Sequence, residues 1–486
     1  MSFEWLGLAA LGSYLAGLFA VAGIARRARR DETAADHFLA GRDLGVFVLF
    51  LTLYATAYSG NSLLGYPGEA YRRGFSFIMA TGFMMSIIVC FHALAPVLRP
   101  VAIAQGFVTP GDWIRHRFGG EPGERALLLG VAVLMIIALA NFLLAQLTAM
   151  GHVSSQVTGG LVPFWLGVVG LAAVILYYET LGGMRAVAWT DAAQAMLMLL
   201  GLAALLWWLL TSAGGMEAVT RQIAAVRPDA VRVPDRTEQA NWLSTIVLLG
   251  LASVVYPQAI QRIYAARSGL ALSRSFALMS FMPLATTLVV TLIGLAAIGH
   301  FGNLGGIEAD TVMPRLLGTW AEVGPISTAF AVVVFIGALA AIMSTADSVL
   351  LSLGSMLSED LLERPRSRDA TASTGKWLAA VVLLGMVALA LGPRLTLWHL
   401  IELKMELLIQ CVPAFLLGAR WAGLRARPTF FGLLAGTAIA VGGVWLGFAR
   451  VGGINIGVLS LLVNLCIAVG GSLVARRGLE SRQAPS

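Results

Sequence analysis

Ala341, Ser344, Thr345 and Ser348 fall at i, i+3, i+4 and i+7 of an apolar stretch and so share one face of a helix. Two adjacent hydroxyls on such a face suit a hard monovalent cation. That ion wants about five oxygens, and a dry membrane site must supply them from hydroxyls and carbonyls at helix breaks. Carbonyls are offered by Tyr54-Ala55-Thr56-Ala57-Tyr58-Ser59-Gly60-Asn61-Ser62, where small and polar residues weaken the helix and Gly65-Tyr66-Pro67-Gly68 follows. The alternative use of Ser344 and Thr345 is to bond back to carbonyls of their own helix.

Three ionisable residues stand in equally apolar surroundings, where a charge is costly and usually faces a cavity or a partner. Asp347 is three residues beyond Ser344 and adjoins Ser348; together with Asp191 it permits a second cation, or a proton shared by two carboxyls. Asp191 can equally anchor the start of its own helix. Lys404, within Glu402-Leu403-Lys404-Met405-Glu406, lies about 10 Å in from a helix end at 1.5 Å per residue, too deep to snorkel. Glu402 and Glu406 share a face that Lys404 does not. Lys404 therefore pairs across helices, closing an outer gate, or meets a carboxylate substrate. Further donors and acceptors are Ser59, Asn61, Ser62, Asn141, Gln146, Tyr256 and Gln258, any of which can instead hold two helices together.

The elements that position these residues are membrane helices. The 486 residues are 58% hydrophobic and 12% charged, with mean hydropathy +0.82, against about 25% charged in a soluble domain. Stretches of about twenty apolar residues predict spans near 4–25, 45–67, 75–97, 126–152, 160–178, 187–212, 242–265, 275–300, 326–357, 376–393, 397–418, 428–448 and 454–475. The first span runs into Arg26-Arg27-Ala28-Arg29-Arg30 with no small-residue cleavage site, which reads as a retained anchor. With the N-terminus outside, the cytoplasmic loops and C-terminal tail carry 23 of the 33 Lys and Arg residues. That asymmetry favours N-terminus outside, C-terminus cytoplasmic. It also accounts for the net charge of +7 without nucleic acid, since no basic helix or aromatic-interleaved basic stripe appears. Cys90, Cys411 and Cys466 have no paired spacing and support neither a disulfide framework nor a metal cluster. No nucleotide-binding motif appears, no loop is long enough for a soluble domain, and no obligatory protein partner is evident; lipid and a small solute are the expected partners.

Two spans carry backbone-breaking chemistry at mid-membrane. Span 2 has the small, polar stretch above; span 7 has Ser253-Val254-Val255-Tyr256-Pro257-Gln258, where Pro257 removes a donor and clashes one turn back. Irregular backbone at this depth must face protein or a cavity, and a matched pair points to inverted repeats. The expected organisation is a peripheral first helix and loop (1–44), a first repeat (45–212, spans 2–6), a second repeat (213–418, spans 7–11), and peripheral spans 12–13 with a short tail (419–486).

Four stretches then resemble the sodium:solute symporters, the family of bacterial proline, pantothenate and sugar transporters. They are Phe38-Leu39-Ala40-Gly41-Arg42, Gly182-Gly183-Met184-Arg185-Ala186-Val187-Ala188-Trp189-Thr190-Asp191 with Gln194, Gln261-Arg262, and Ala340-Ala341-Ile342-Met343-Ser344-Thr345-Ala346-Asp347-Ser348. The resemblance covers roughly residues 35–420, in order. It implies an all-α membrane protein of about 13 helices with a LeuT-like five-plus-five inverted repeat. It also implies a sodium site made by the carbonyls of Ala55, Tyr58 and Ala341 and the hydroxyls of Ser344 and Thr345. Asp191 matches an aspartate that some members use for a second sodium. Ser62, Tyr256 and Met405 fall where sugar transporters contact sugar, without the amides found there. Ala57 stands where proline transporters carry an aspartate, which argues against a copied proline site.

The function this implies is sodium-coupled symport of a small organic solute by alternating access, leaning to a carboxylate such as a monocarboxylate or amino acid, in a bacterial inner membrane and not as an enzyme. Two rivals stand beside it: a proton-coupled symporter of the same fold, and a transporter-like solute sensor serving a separate kinase.

Overall fold

A computed structural model describes residues 3–27, 38–211, 214–301, 304–362, 370–392 and 396–483. The basic run at Arg29 and Arg30, the loop at 363–369 and the last tail residues 484–486 lie outside them. The described chain is nearly all helix, with helices at every segment expected to span. Eight of these helices among the described residues, or nine when the bent pair Arg236–Ser253 and Pro257–Ala265 counts as one, can cross a membrane by length and composition alone.

One expectation is corrected. Spans 5 and 6 were separated by a loop at 179–186, but the backbone is helical from Phe164 to Thr211. At 1.5 Å per residue those 48 residues measure about 72 Å along the chain, the length of both expected spans and the segment between them. The glycines in this stretch each cost a helix about 1 kcal/mol. Dense packing of the run against the ninth span, Pro325–Met356, overrides that local preference.

Both expected breaks are present. Span 2 consists of Val46–Ala57, a π-helical turn Asn61–Gly65, and Tyr66–Arg73. Tyr58, the first residue past the helix, is extended at φ −103°, ψ 97°. Span 7 bends by 51° where Arg236–Ser253 gives way to Pro257–Ala265. There Tyr256 is extended and Pro257 opens the second half, where its missing N–H costs nothing.

Short elements tie the ends of the broken helices. Ala40, Gly41 and Arg42 turn left-handed at φ 52°, 65° and 60°, a conformation only glycine adopts freely. The Arg42 guanidinium holds the turn by donating to the Phe107 and Ala102 carbonyls at 2.7 and 3.3 Å. Leu44 then pairs with Ala265 and Arg267 at the end of span 7. At the other end of the bundle, strands Arg450–Val451 and Ile454–Asn455 form a hairpin through Gly452-Gly453, both at positive φ, as a two-residue hairpin turn demands.

Candidate functional site

The break in span 2 frees a row of carbonyls. In an unbroken helix Ala55, Thr56, Ala57 and Tyr58 would accept from the amides of Ser59, Gly60, Asn61 and Ser62. Instead Gly60 N donates to Gln146 Oε1 at 2.9 Å, Asn61 N to Ser59 Oγ at 3.2 Å, and Ser62 N to the Ser59 carbonyl at 2.9 Å. The ninth span packs against this gap. Ser344 Oγ lies 3.1 Å from the carbonyl oxygens of both Ala55 and Ala341; Thr345 Oγ1 lies 3.2 and 3.0 Å from the same two. Ala55, Ala341, Ser344 and Thr345 are all buried. Two hydroxyl protons thus serve four oxygen–oxygen contacts, so the cluster has fewer hydrogen-bond protons than contacts.

Beside this cluster the breaks of spans 2 and 7 enclose a cavity of about 80 Å³, well under the roughly 300–1,000 Å³ of a site for a drug-sized ligand. Of the expected solute contacts, Ser59, Asn61, Ser62, Tyr256, Gln258, Lys404 and Met405 line it. Both polar atoms of the Asn61 amide and Gln258 Oε1 are buried without a hydrogen-bond partner. Lys404, 2% exposed, places its Nζ 3.3 Å from the Phe142 ring centroid and 5.8 Å from that of Tyr256, a cation–π arrangement. At one end Tyr66 closes the cavity; its ring packs against Phe77, Phe83 and Trp398. Beyond Trp398 stands the Arg73 guanidinium.

Asn141 and Gln146, expected as solute contacts, do not line the cavity. Gln146 holds the break open by accepting from Gly60 and donating weakly to its own helix at Phe142. The residues the sequence reading missed on the wall include Thr56, Tyr66, Phe142 and Ser253, with a larger apolar set among them Met84, Phe91 and Phe276; in sequence they carry no signal distinct from helix packing.

Asp191, Asp347 and Ser348 are fully buried or nearly so. Arg262 enters their midst: its Nη2 donates to Asp191 Oδ2 at 2.9 Å and to Ser348 Oγ at 2.5 Å, and its Nε to Thr52 Oγ1 at 2.9 Å. Thr52 in turn donates to Asp191. The place offered for a second cation therefore holds a guanidinium from the Gln261-Arg262 motif.

The model of the sodium:solute symporter family matches residues 37–436. The chain belongs to that family. The osmoregulated proline transporter OpuE of Bacillus subtilis is 26% identical over 477 residues, covering 96% of this chain and 94% of that one. The sodium/pantothenate symporter of Escherichia coli is 25% identical over 401 residues, 80% of each chain. Among solved structures, a sodium-coupled sialic acid symporter in a substrate-bound outward-open state superposes with TM-score 0.78 at 17% identity, covering 97% of this chain and 98% of that one. MhsT in complex with L-phenylalanine gives 0.54 at 13% identity, covering 87% and 98%. The fold is LeuT-like, and this family member is an integral membrane symporter that couples sodium to a small solute, not an enzyme.

Proposed function

We propose that the chain imports a small carboxylate with sodium by alternating access, in a bacterial inner membrane with the N-terminus outside and the C-terminus in the cytoplasm. Sodium is held by the carbonyls of Ala55, Tyr58 and Ala341 and the hydroxyls of Ser344 and Thr345. The carboxylate meets Lys404 across the cavity. The observation that carries the sodium assignment is the proton shortage among the four clustered oxygens, which a cation relieves and which joins the broken span 2 to span 9. Because both ligands bear on span 2, sodium raises solute affinity and solute raises sodium affinity by the same factor. The tryptophan-capped end faces outward, since the arginines beyond it sit in loops assigned outside.

The test is uptake into proteoliposomes under an inward sodium gradient, with potassium and an inward proton gradient as controls, using radiolabelled small carboxylates. Sodium-driven uptake that falls at least about tenfold in Ser344→Ala/Thr345→Ala and in Lys404→Met supports the reading. Uptake driven by protons without sodium contradicts it.

A further inference from the structure

The cavity wall carries one basic side chain, Lys404, and no carboxylate. Lys404 has no ion pair among the described residues. Its two acidic neighbours in sequence are turned elsewhere: Glu402 pairs with Arg450, and the Glu406 stem packs beside Gly457 of the last span. Neither lines the cavity. Ala57, at the end of the first half of span 2, presents only a methyl group to it. A solute carboxylate thus gives the Lys404 amine a partner, while a solute ammonium finds a basic amine and no anion on the wall. The aromatic face nearest Lys404, that of Phe142, is already taken by it.

A second observation points the same way. Beyond the aromatic stopper lies an open vestibule of about 440 Å³, whose wall presents the guanidinium groups of Arg72, Arg73, Arg227, Arg232 and Arg450 against two carboxylates, Asp229 and Glu238. Four of the five arginines have carboxylate partners. Arg227 has none among the described residues; it donates to the Tyr71 carbonyl and leaves its Nε without a partner there. Arg227 is thus the guanidinium at the mouth left to meet an incoming anion. Inside, the unpartnered Asn61 amide, 2% exposed, asks the solute for an oxygen that both accepts and donates, or for an acceptor alone with water completing the set.

We infer, resting on the carboxylate reading above, that the solute is a short monocarboxylate anion without an ammonium group, bearing a hydroxyl or carbonyl oxygen for Asn61. Lactate and alanine test this directly, because they share a carbon skeleton and differ in hydroxyl against ammonium. In uptake driven by an inward sodium gradient into proteoliposomes of the wild-type protein, labelled lactate accumulates, unlabelled pyruvate competes, and alanine competes at least about tenfold more weakly. Alanine that accumulates or competes as well as lactate overturns the inference and leaves the carboxylate reading standing. If lactate, pyruvate, propionate and alanine all fail to move under a sodium gradient, the carboxylate reading itself falls. In Ala57→Asp, checked for wild-type melting, the new carboxylate shifts preference towards alanine by about tenfold or more; an unchanged preference in the folded variant contradicts the inference.

Discussion

The guanidinium of Arg262 and the carboxylate of Asp191 form an ion pair at 2.9 Å with both side chains completely buried. It joins the second half of broken span 7 to the helix Phe164–Thr211. Removing one member of such a pair strands a charge and costs about 3–5 kcal/mol, whereas replacing both by apolar groups is often near neutral. Arg262→Met alone is therefore expected to lower stability by about that amount, and Arg262→Met/Asp191→Leu by clearly less, in unfolding measured on the detergent-purified protein. Equal losses in single and double variants would contradict the coupling.

The same pair bears on stoichiometry. Arg262 contacts both Asp191 and Ser348, so a second sodium ion must displace a tethered cation. Sodium activation of transport is expected to follow a Hill coefficient of about 1, read from initial rates against sodium concentration. A coefficient approaching two would place a second ion in the cycle.

Gly60 sits where spans 2, 4 and 9 meet. A Cβ there would stand 2.8 Å from both Ala149 Cβ and Ile342 Cγ1, and 3.0 Å from Gln146 Oε1. Overpacking of this kind costs about 1–3 kcal/mol. Gly60→Ala is expected to lose that much stability and to weaken sodium binding, because the freed carbonyls shift with the break. Gly170→Ala, where a Cβ meets nothing within 4 Å inside a helix, is the control and should lose no stability, gaining up to about 1 kcal/mol from helix propensity.

Outside the spans, Asp310 latches the loop Gly306–Thr311 to two helices. It accepts from the Leu397 amide at 2.7 Å and faces Arg72 at 3.3 Å. Burial pushes its carboxyl up from 3.8 to about 6, with the Arg72 charge and the Leu397 amide pulling the other way and Glu69 adding a small push upward. A raised carboxyl binds its proton more tightly in the folded state, so its contribution is full below about pH 4 and is lost as pH rises through 6. About two units correspond to roughly 3 kcal/mol at most. Between pH 4 and pH 7 the stability of the wild type should fall relative to Asp310→Asn by up to that amount, measured as paired unfolding curves. Parallel curves would show that the latch does not titrate in this range.

Much of this was legible in the residues because helical period and backbone chemistry are local. The hydroxyl face at Ser344 and Thr345 follows from spacing, and the breaks follow from small, polar residues in span 2 and Pro257 in span 7. The use of Arg262 was not legible. Its motif marked it, but its partners Asp191 and Ser348 lie 71 and 86 residues away, and only packing chooses them. Gln146 shows the same limit: an amide on span 4 reads equally as a solute contact or as support for a break, and the structure gives it to Gly60. The continuous backbone helix from Phe164 to Thr211 was hidden by glycines and charges that resemble a loop until tertiary contacts are counted.

The central claim is that sodium binds between the broken span 2 and the hydroxyls of span 9. Its most direct test is intrinsic tryptophan fluorescence of the purified protein, titrated with sodium against potassium at constant ionic strength, in wild type and in Ser344→Ala/Thr345→Ala. The predicted result is a saturable, sodium-specific change in the wild type whose midpoint rises at least about tenfold, or which vanishes, in the folded variant. A wild-type response equal for potassium, or one that survives the double substitution unchanged, would contradict it.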